Sequence, residues 1–177
     1  MAKTTWKLDP AHSEIEFKVR HLMVSTVTGR FNKIDSSIES ESDDFEGAKG
    51  SLTVEVDSIS TGQEARDKHL KSDDFFNSEK FPTIRFESTS HHKTGKDTYS
   101  LKGNLTMRDI TRPVEFQVEF GGVVKDPFGN YRAGFSITGK VNRKDFQVKW
   151  NTMLEAGGAM LSDEVSVSAN LAFIHPV

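Results

Sequence analysis

Residues 114–120 read Val-Glu-Phe-Gln-Val-Glu-Phe, a strict alternation of apolar and polar side chains. Because successive side chains of a β-strand point to opposite faces of the sheet, this stretch predicts a strand with one apolar and one solvated face. Further strands are expected around Trp6 and within 31–38. The same period of two recurs in six other segments, at 15–21, 52–57, 84–88, 101–107, 135–141 and 165–173. This pattern indicates an antiparallel all-β fold, and closure into a barrel would remove its exposed edges.

The composition limits the classes of protein to which the chain can belong. Its 177 residues predict a single domain, 1–177, and the formal net charge is −3, with basic and acidic residues mixed along the chain. This mixture argues against a nucleic-acid partner, which requires Lys and Arg concentrated on one face. Without cysteine there are no disulfides, thiolate nucleophiles or Cys-ligated metals. No apolar run approaches the roughly 18 residues of a membrane span, and no apolar leader follows Met1, so we expect a cytoplasmic protein without a membrane span.

One long segment interrupts the alternating pattern between two predicted strands. Apolar side chains recur there at helical spacing, which predicts a helix over 63–71 with Thr61 as its N-cap. A second short turn is expected to carry Phe75 and Phe76. An excursion of this length is rarely idle in a compact domain. We therefore predict that the segment around 63–76 forms a short helical cap over one end of the barrel.

The histidines give no metal-binding pattern. None of the six stands in an HxH or HExxH spacing, and no compact carboxylate cluster accompanies them, so no metal site is predicted. His91 and His92 lie beside a turn, would point to opposite faces of a strand, and are expected at the surface. Nucleophile motifs of the GxSxG and SxxK types are missing, as are glycine-rich phosphate loops. The sequence therefore predicts no catalytic residues and no cofactor.

Two polar residues have alternative interpretations. His21 continues the apolar face of its strand, where it is either a core histidine with a satisfied hydrogen bond, which we favour, or a polar anchor at the rim of a cavity. Arg66 either ties the helix to strand ends through salt bridges, again the favoured interpretation, or meets an anionic head group at the neck of the barrel. Asp67 and Lys71 are expected to form an ordinary ion pair on the solvated face of the helix.

The apolar faces predict either a filled core or a ligand cavity. Thirteen phenylalanines are present, and a barrel of about eight strands has room for one small ligand. Both arrangements use the same residues, so the pattern alone does not separate them. If a cavity exists, its predicted ligand-binding residues are Phe17, Val19, His21, Phe31, Leu52, Val54, Arg66, His69, Phe75, Phe76, Phe86, Leu105, Phe135, Ile137 and Phe173.

Short motifs also occur in a characteristic order along the chain. They include Trp6-Lys-Leu-Asp9, Ser60-Thr61-Gly62, Arg66-Asp67-Lys-His69-Leu70, Asp74-Phe75-Phe76, Thr111-Arg-Pro113-Val114 and Asn142-Arg143-Lys-Asp145-Phe146. In this order they resemble the YceI-like family over essentially the whole chain. The resemblance implies an extended, eight-stranded, lipocalin-like antiparallel barrel with an internal tunnel and a helical cap, and commonly a homodimer. It also implies a long-chain amphiphile as ligand, such as a polyisoprenoid, an isoprenoid quinone or a similar lipid.

Three hypotheses for the function follow. The favoured one is a non-enzymatic binding or carrier protein that holds such a lipid in an apolar tunnel inside the barrel. The alternative is an enzyme that acts on a lipid or small amphiphile with His21 or His69 as general base. The third is a stress-related structural protein whose barrel serves as a scaffold for dimerisation. Many members of the family carry a secretory leader, and because none is recognised here a cytosolic carrier or storage role is expected.

Two expectations concern the loops, one at Gln147 and one at 153–161. The family often has glycine where Gln147 stands here, so a different turn is expected after the Arg143-Lys-Asp145-Phe146 motif. The stretch 153–161 contains two adjacent glycines and is expected to form a mobile rim.

Overall fold

The computed structural model describes residues 3–151 and 160–176, so the rim expected at 153–161 lies almost entirely outside the described residues. Within these ranges the chain forms eleven β-strands and one α-helix. The elements in chain order are β1 Thr4–Leu8, β2 Glu14–His21, β3 Ser25–Phe31, β4 Ile34–Ser40, β5 Lys49–Glu55, β6 Ile59–Ser60, α1 Glu64–Leu70, β7 Thr83–Lys93, β8 Thr98–Met107, β9 Ile110–Lys125, β10 Asn130–Asn142 and β11 Leu161–Pro176.

The strands form one closed antiparallel barrel, which confirms the predicted fold. Three of its long strands are interrupted. β1 and β2 form one interrupted strand, and both pair with β11. β4 and β3 form the next, because β4 pairs with β1 and β3 pairs with β2. β5 and β6 form the third, because β5 pairs with β4 and β6 pairs with β3. Counted in this way the barrel has eight long strands, and the pairing of β1 and β2 with β11 closes it.

The sheet is split on one side, where the helical segment lies. β5 pairs with β7, whereas the ladder partner of β6 within the described ranges is β3 alone. The connection from β6 to β7 contains α1, which packs beside β6. The helix therefore packs beside the short strand β6, at the edge of the sheet between β6 and β7, as expected of a cap.

The opposite end of the barrel is filled by aromatic side chains. Phe45, in the connection between β4 and β5, is 1% exposed, as is Tyr99 on β8. The Phe45 ring centroid lies 5.4 Å from that of Trp6, 5.2 Å from that of Phe120 and 5.1 Å from that of Phe135. Such tilted and edge-to-face pairs add about 0.5–1.5 kcal/mol each beyond the area they bury. This end is therefore a packed core rather than an opening.

His91 belongs to this core, so its predicted surface position was wrong. The side chain is 7% exposed, Nδ1–H donates to the carbonyl oxygen of Phe45 at 2.8 Å, and the ring stacks on Tyr99. A β-bulge at 88–90 shifts the alternation of β7 by one residue and turns His91 inward. His92 is then on the outer face and is exposed, as predicted.

The helix is one residue shorter at each end than predicted. Its N-cap is Gln63 rather than Thr61, because Thr61 is engaged in another interaction. The backbone N–H and the hydroxyl of Thr61 donate to Oδ1 of Asp67 at 2.8 and 2.5 Å. Asp67 is consequently half-buried, and the ion pair predicted between Asp67 and Lys71 on a solvated face is not among those formed by the described residues.

The predicted second turn follows the helix directly. The N–H of Phe75 donates to the carbonyl oxygen of Ser72, and that of Phe76 donates to the carbonyl oxygen of Leu70, both at 3.0 Å. These bonds fold the chain back and direct Phe75, 6% exposed, into the protein. Across the described ranges, no helix has the length and apolar character needed to cross a membrane.

Candidate functional site

An apolar cavity of about 590 Å³ lies inside the barrel beneath α1. Most of its wall consists of inward-facing aliphatic and phenylalanine side chains from the strands, with Ala65 and Leu70 contributed by the helix. Neither Asp nor Glu contributes to the wall in the part of the chain that the structure describes. Its polar wall residues there, apart from the indole of Trp150, are His21, Gln63, Arg66, His69 and Arg143.

The predicted ligand-binding residues lie on this wall with two exceptions. Those on it are Phe17, Val19, His21, Phe31, Leu52, Val54, Arg66, His69, Phe75, Phe76, Phe86, Leu105 and Ile137. Phe135 and Phe173 line a second, smaller cavity of about 90 Å³ instead. Their strands reach the aromatic end of the barrel, where the large cavity has already ended.

The two cavities adjoin each other along the barrel axis. Five wall residues are common to both, namely Leu52, Phe86, Leu101, Ile137 and Leu171. The interior is thus neither a filled core nor one uniform tunnel. It is a large cavity under the helix that is separated by a few side chains from a small one at the aromatic end.

Arg66 forms hydrogen bonds within its own segment. Its Nε donates to Oγ1 of Thr61 and its Nη2 donates to the carbonyl oxygen of Thr61, both at 2.7 Å. These bonds fasten the helix to the residues that precede it, so the expected salt bridges to strand ends are replaced by hydrogen bonds to Thr61. The side chain still reaches the cavity wall.

His69 and His21 both lie on the cavity wall. The Nε2 of His69 lies 2.8 Å from Oδ2 of Asp74, and its ring packs edge-on against Phe75 and Trp150 at centroid distances of 5.0 and 4.9 Å. His21, at the end of β2, is half-buried. The two imidazoles mark the helix-covered end of the barrel as the polar end of the cavity.

Arg143 is the polar wall residue that was not among the predicted site residues. It begins a 3₁₀ turn, Arg143–Phe146, that follows β10, and it is 6% exposed. Its Nε donates to the carbonyl oxygen of Ser162 at 2.9 Å, and its Nη1 donates to those of Val148 and Trp150, both at 2.8 Å. Burial is the main cause that lowers the pKa of this guanidinium, which nevertheless stays charged in proteins.

A sequence signal for Arg143 exists. The inward-facing positions of β10 include Ala133, Phe135, Ile137 and Val141, with Gly139 between the last two, and the next position in the same period is Arg143. The alternation therefore places the side chain of Arg143 on the apolar face. Reading that pattern two residues further would have placed Arg143 inside.

The turn after Arg143 contains a residue in the left-handed backbone conformation. Gln147 has φ 63° and ψ 22°, the left-handed region that glycine adopts at least cost. Gln147 therefore holds a left-handed conformation without being glycine, and whether this turn differs from that of relatives with glycine stays a prediction. Among the described residues, no three His, Cys, Asp or Glu side chains are grouped so that they could hold a metal ion.

A closed eight-stranded antiparallel barrel with an apolar cavity under a helical cap defines a lipocalin-like class of proteins. Comparison with protein families agrees and is more specific. The family model described as YceI-like domain matches residues 6–173. The chain belongs to the YceI-like family.

The curated relatives have closely similar lengths. UPF0312 protein SA2479 of Staphylococcus aureus strain N315 is 40% identical over 171 residues, which cover 96% of this chain and 97% of that protein. UPF0312 protein SAB2563 of the bovine Staphylococcus aureus strain RF122 / ET3-1 gives the same identity and coverage.

Solved structures share the fold. BcnA of Burkholderia cenocepacia has a TM-score of 0.78 at 19% identity, with 93% of this chain and 98% of that chain covered. The YCEI protein of Campylobacter jejuni has a TM-score of 0.68 at 28% identity, with 85% and 88% covered. A polyisoprenoid binding domain from Saccharophagus degradans, implicated in plant cell wall breakdown, has a TM-score of 0.70 at 14% identity, with 97% and 98% covered. At 19% and 14% identity the likeness concerns the fold alone.

Proposed function

We propose that this protein is a non-enzymatic carrier that holds the apolar tail of a long-chain amphiphile, such as a polyisoprenoid, an isoprenoid quinone or a similar lipid, inside its barrel. The observation that carries the proposal is the cavity of about 590 Å³ with its almost entirely apolar wall. Ligand pockets in proteins span about 300–1,000 Å³ and are lined mainly by apolar and aromatic side chains. Each CH₂ group that leaves water contributes about 0.8 kcal/mol, so a modest tail gives useful affinity.

The comparisons support the class of ligand. The domain from Saccharophagus degradans is described as polyisoprenoid binding, and its barrel superposes on nearly the whole of this chain. A common fold by itself does not carry a function, so the argument depends on the cavity of this chain and uses the relative as an analogy.

The first experiment identifies the ligand. Protein purified from its native host is extracted with organic solvent, and the extract is compared by mass spectrometry with that of a cavity-filling variant. Ala169→Phe serves as this variant because Ala169 is 7% exposed and lies on the cavity wall. Ser168→Phe is the matched control, since it adds the same ring on the outer face of the same strand, where Ser168 is exposed.

The expected result is a copurifying amphiphile in the wild type and in Ser168→Phe that is lost or strongly reduced in Ala169→Phe. Circular dichroism verifies that both variants are folded. Wild-type protein that contains no amphiphile, and that binds none of a panel of prenyl and acyl compounds, would contradict the carrier proposal.

An enzymatic role has one observation in its favour. His69 lies on the cavity wall with its Nε2 2.8 Å from a carboxylate oxygen of Asp74, a pairing that can orient a general base. Incubation of wild-type protein with the identified amphiphile tests this role. A new product that the wild type forms, and that His69→Ala or His21→Ala does not form, would replace the carrier by an enzyme.

The homodimer and the cytoplasmic location remain predictions. Sedimentation velocity of the purified protein measures the first, and fractionation of the native host measures the second. The scaffold hypothesis would gain from exposed apolar positions on the outside, and Val124 and Phe128 of the β9–β10 hairpin, 64% and 82% exposed, are such positions. A dimer that is lost in Phe128→Ser would support that hypothesis.

A further inference from the structure

The turn between β2 and β3 exposes three consecutive apolar side chains, Leu22, Met23 and Val24, which we call the apolar tip. Met23 is 63% and Val24 is 83% exposed. Hairpin turns are normally built from Gly, Asn or Asp, which adopt a positive φ at little cost. Leu22 and Met23 instead hold φ values of 55° and 59° with large apolar side chains. Neither burial nor turn chemistry accounts for these residues, and backbone conformations of this kind are concentrated at functional sites.

The apolar tip lies at the edge of the large cavity. His21, directly before the tip, is on the cavity wall. The backbone N–H of Leu22 donates to the carbonyl oxygen of Met160 at 2.7 Å, and Met160 also lines the cavity. β11 runs from this edge to the aromatic end, since Leu161 pairs with His21 whereas Phe173 lines the small cavity. A surface that contacts the tip therefore meets the large cavity at the end remote from the aromatic core.

The outer face of β2 next to the apolar tip is basic. Lys18 and Arg20 are exposed, and neither belongs to an ion pair formed within the described ranges. Nη2 of Arg20 donates to the carbonyl oxygen of Met23 at 2.6 Å, which holds the guanidinium beside the tip. The cross-strand neighbours of the two basic residues are neutral hydroxyl side chains, namely Thr26, Thr28 and Ser166.

The carboxylates of β11 beside this face are already paired. Glu164 lies 3.3 Å from Nζ of Lys140, and Asp163 lies 3.2 Å from Nζ of Lys144. They do not compensate the charge on the outer face of β2. The apolar tip is therefore accompanied by a net positive charge, which suits a negatively charged partner.

We propose that the apolar tip inserts into the interface of a lipid bilayer that contains anionic lipids, with Lys18 and Arg20 against the lipid phosphates. Segments that lie in a membrane interface combine apolar side chains, which enter the acyl boundary, with lysines and arginines, which attract anionic lipids. The docked protein presents the edge of its cavity to the bilayer, where long-chain amphiphiles are dissolved. Docking goes beyond the proposed carrier function and needs no ligand in the cavity, so either proposal can fail without the other.

The first test measures cosedimentation of purified protein with vesicles of phosphatidylcholine alone or mixed with phosphatidylglycerol. Wild-type protein should bind the mixed vesicles, and Met23→Ser with Val24→Ser should weaken this binding about tenfold. Val123→Ser with Val124→Ser is the matched control, because it removes two adjacent exposed apolar side chains from the hairpin at the aromatic end. Wild-type protein that does not bind mixed vesicles, or a folded tip variant that binds them as the wild type does, would overturn the proposal.

The second test concerns the basic residues. Each basic residue near an anionic surface contributes about fivefold in affinity, so Lys18→Gln with Arg20→Gln should weaken binding to mixed vesicles about 10- to 30-fold. Lys96→Gln with Lys125→Gln makes the same change in net charge at exposed positions near the aromatic end and should retain most of the binding. Equal effects of the two double variants would show that the vesicles respond to net charge alone, and would contradict docking through β2.

The third test uses the absence of cysteine from the chain, which allows one site to be labelled at a time. An environment-sensitive fluorophore on Met23→Cys should give stronger, blue-shifted emission with mixed vesicles. The same fluorophore on Phe128→Cys, also at an exposed apolar position, should not respond. Equal responses at both sites would contradict the orientation. A response at Met23→Cys that follows protein concentration without vesicles would show that two copies of the chain pair through the tip, and the membrane assignment would fail.

Discussion

The ring of Phe17 on β2 occupies the space directly over Gly29, its cross-strand partner on β3. A Cβ atom added at Gly29 would lie 2.2 Å from Cζ of Phe17, so the two positions cannot both carry side chains in this arrangement. We therefore expect Gly29→Ala to push the ring into the cavity that Phe17 lines. The substitution should lower the free energy of unfolding by about 1–3 kcal/mol, as overpacking does, and weaken binding of any cavity ligand. Urea denaturation and probe titration measure the two effects.

A matched control is available for this prediction. Gly50 on β5 has an ordinary backbone, and an added Cβ would meet its nearest neighbours at 3.5 and 3.6 Å, which is normal contact. Gly50→Ala should therefore leave both stability and binding close to the wild-type values. The double variant Gly29→Ala with Phe17→Leu should recover part of the lost stability, because the smaller side chain vacates the space. Equal effects of Gly29→Ala and Gly50→Ala would rule out the proposed contact.

The alternation in the sequence predicted an antiparallel all-β fold and most of the residues of the cavity wall, its interruption predicted the helical cap, and the family resemblance implied the eight-stranded barrel. It did not reveal that an inward-facing glycine makes room for a neighbouring ring. At Gly103, for example, an added Cβ would lie 2.4 Å from the Phe86 ring, and that position cannot be distinguished from a weak strand residue without the partner strand. Whether the interior is a cavity or a filled core depends on how aromatic rings of one strand pack over glycines of the neighbouring strand. The sequence of a single strand does not contain this information.

Two errors have identifiable local causes. His91 was expected at the surface because it lies beside a turn, and the bulge at 88–90 that turns its side chain inward has no marker in the sequence. Arg143 was overlooked because an arginine on an apolar face is normally exposed, and the carbonyl oxygens that hold it belong to Ser162 and to 148–150. In both cases the buried side chain donates to backbone carbonyl oxygens that lie outside its own strand, and the alternation of that strand does not show them.

Arg132 bridges two carboxylates at the aromatic end of the barrel. Its Nη1 donates to Asp9 and its Nε donates to Asp126, both at 2.7 Å, which links the interruption between β1 and β2 to the β9–β10 hairpin. We expect Arg132→Gln to lower the urea midpoint at neutral pH. Arg30→Gln is the control, because Arg30 forms longer ion pairs at the exposed surface.

The same bridge predicts how the effect of Arg132→Gln depends on pH. The hydrogen bond from Arg132 is the main cause that lowers the pKa of Asp9 below its ordinary value of 3.8. A carboxyl group whose pKa is lower in the folded state contributes its full stabilisation above its ordinary pKa. This contribution is lost as the pH falls through the folded-state pKa. The difference in urea midpoint between wild type and Arg132→Gln should therefore shrink below about pH 4. A difference that is constant down to acid pH would show that the ion pairs are not its cause.

His91 should make stability depend on pH near neutrality. Burial is the main cause that lowers its pKa below the ordinary value of 6.5, although the bond to Phe45 and the charge of Glu46 raise it. The unfolded chain therefore binds a proton at a higher pH than the folded chain does. The contribution of His91 to the free energy of unfolding is complete above its ordinary pKa of 6.5 and is lost as the pH falls below that value. Melting temperatures between about pH 8 and pH 5 should fall less in His91→Gln than in wild type.

Gln147 offers a stabilising substitution. It is exposed and holds the left-handed conformation at φ 63°, which is unfavourable for a residue with a Cβ atom. Gln147→Gly should raise the free energy of unfolding by up to about 1 kcal/mol, because the relief of strain exceeds the added entropy of the unfolded chain. Gln147→Ala removes the same side chain but retains the Cβ, so it should give no such gain. Equal stability of the glycine and alanine variants would show that the conformation is not strained.

Ile137 is one of the five side chains that lie on the walls of both cavities. We expect Ile137→Ala to join them and lengthen the space available to a tail, at a loss of about 2 kcal/mol in the free energy of unfolding for a half-buried isoleucine. The affinity for geranylgeranyl phosphate relative to farnesyl phosphate should then rise several-fold, because the additional isoprene unit can leave water. Val27→Ala is the control, because Val27 is also half-buried but lines the large cavity alone. If both variants change the two affinities by the same factor, the small cavity does not receive the end of the tail, and tail length is limited elsewhere in the barrel.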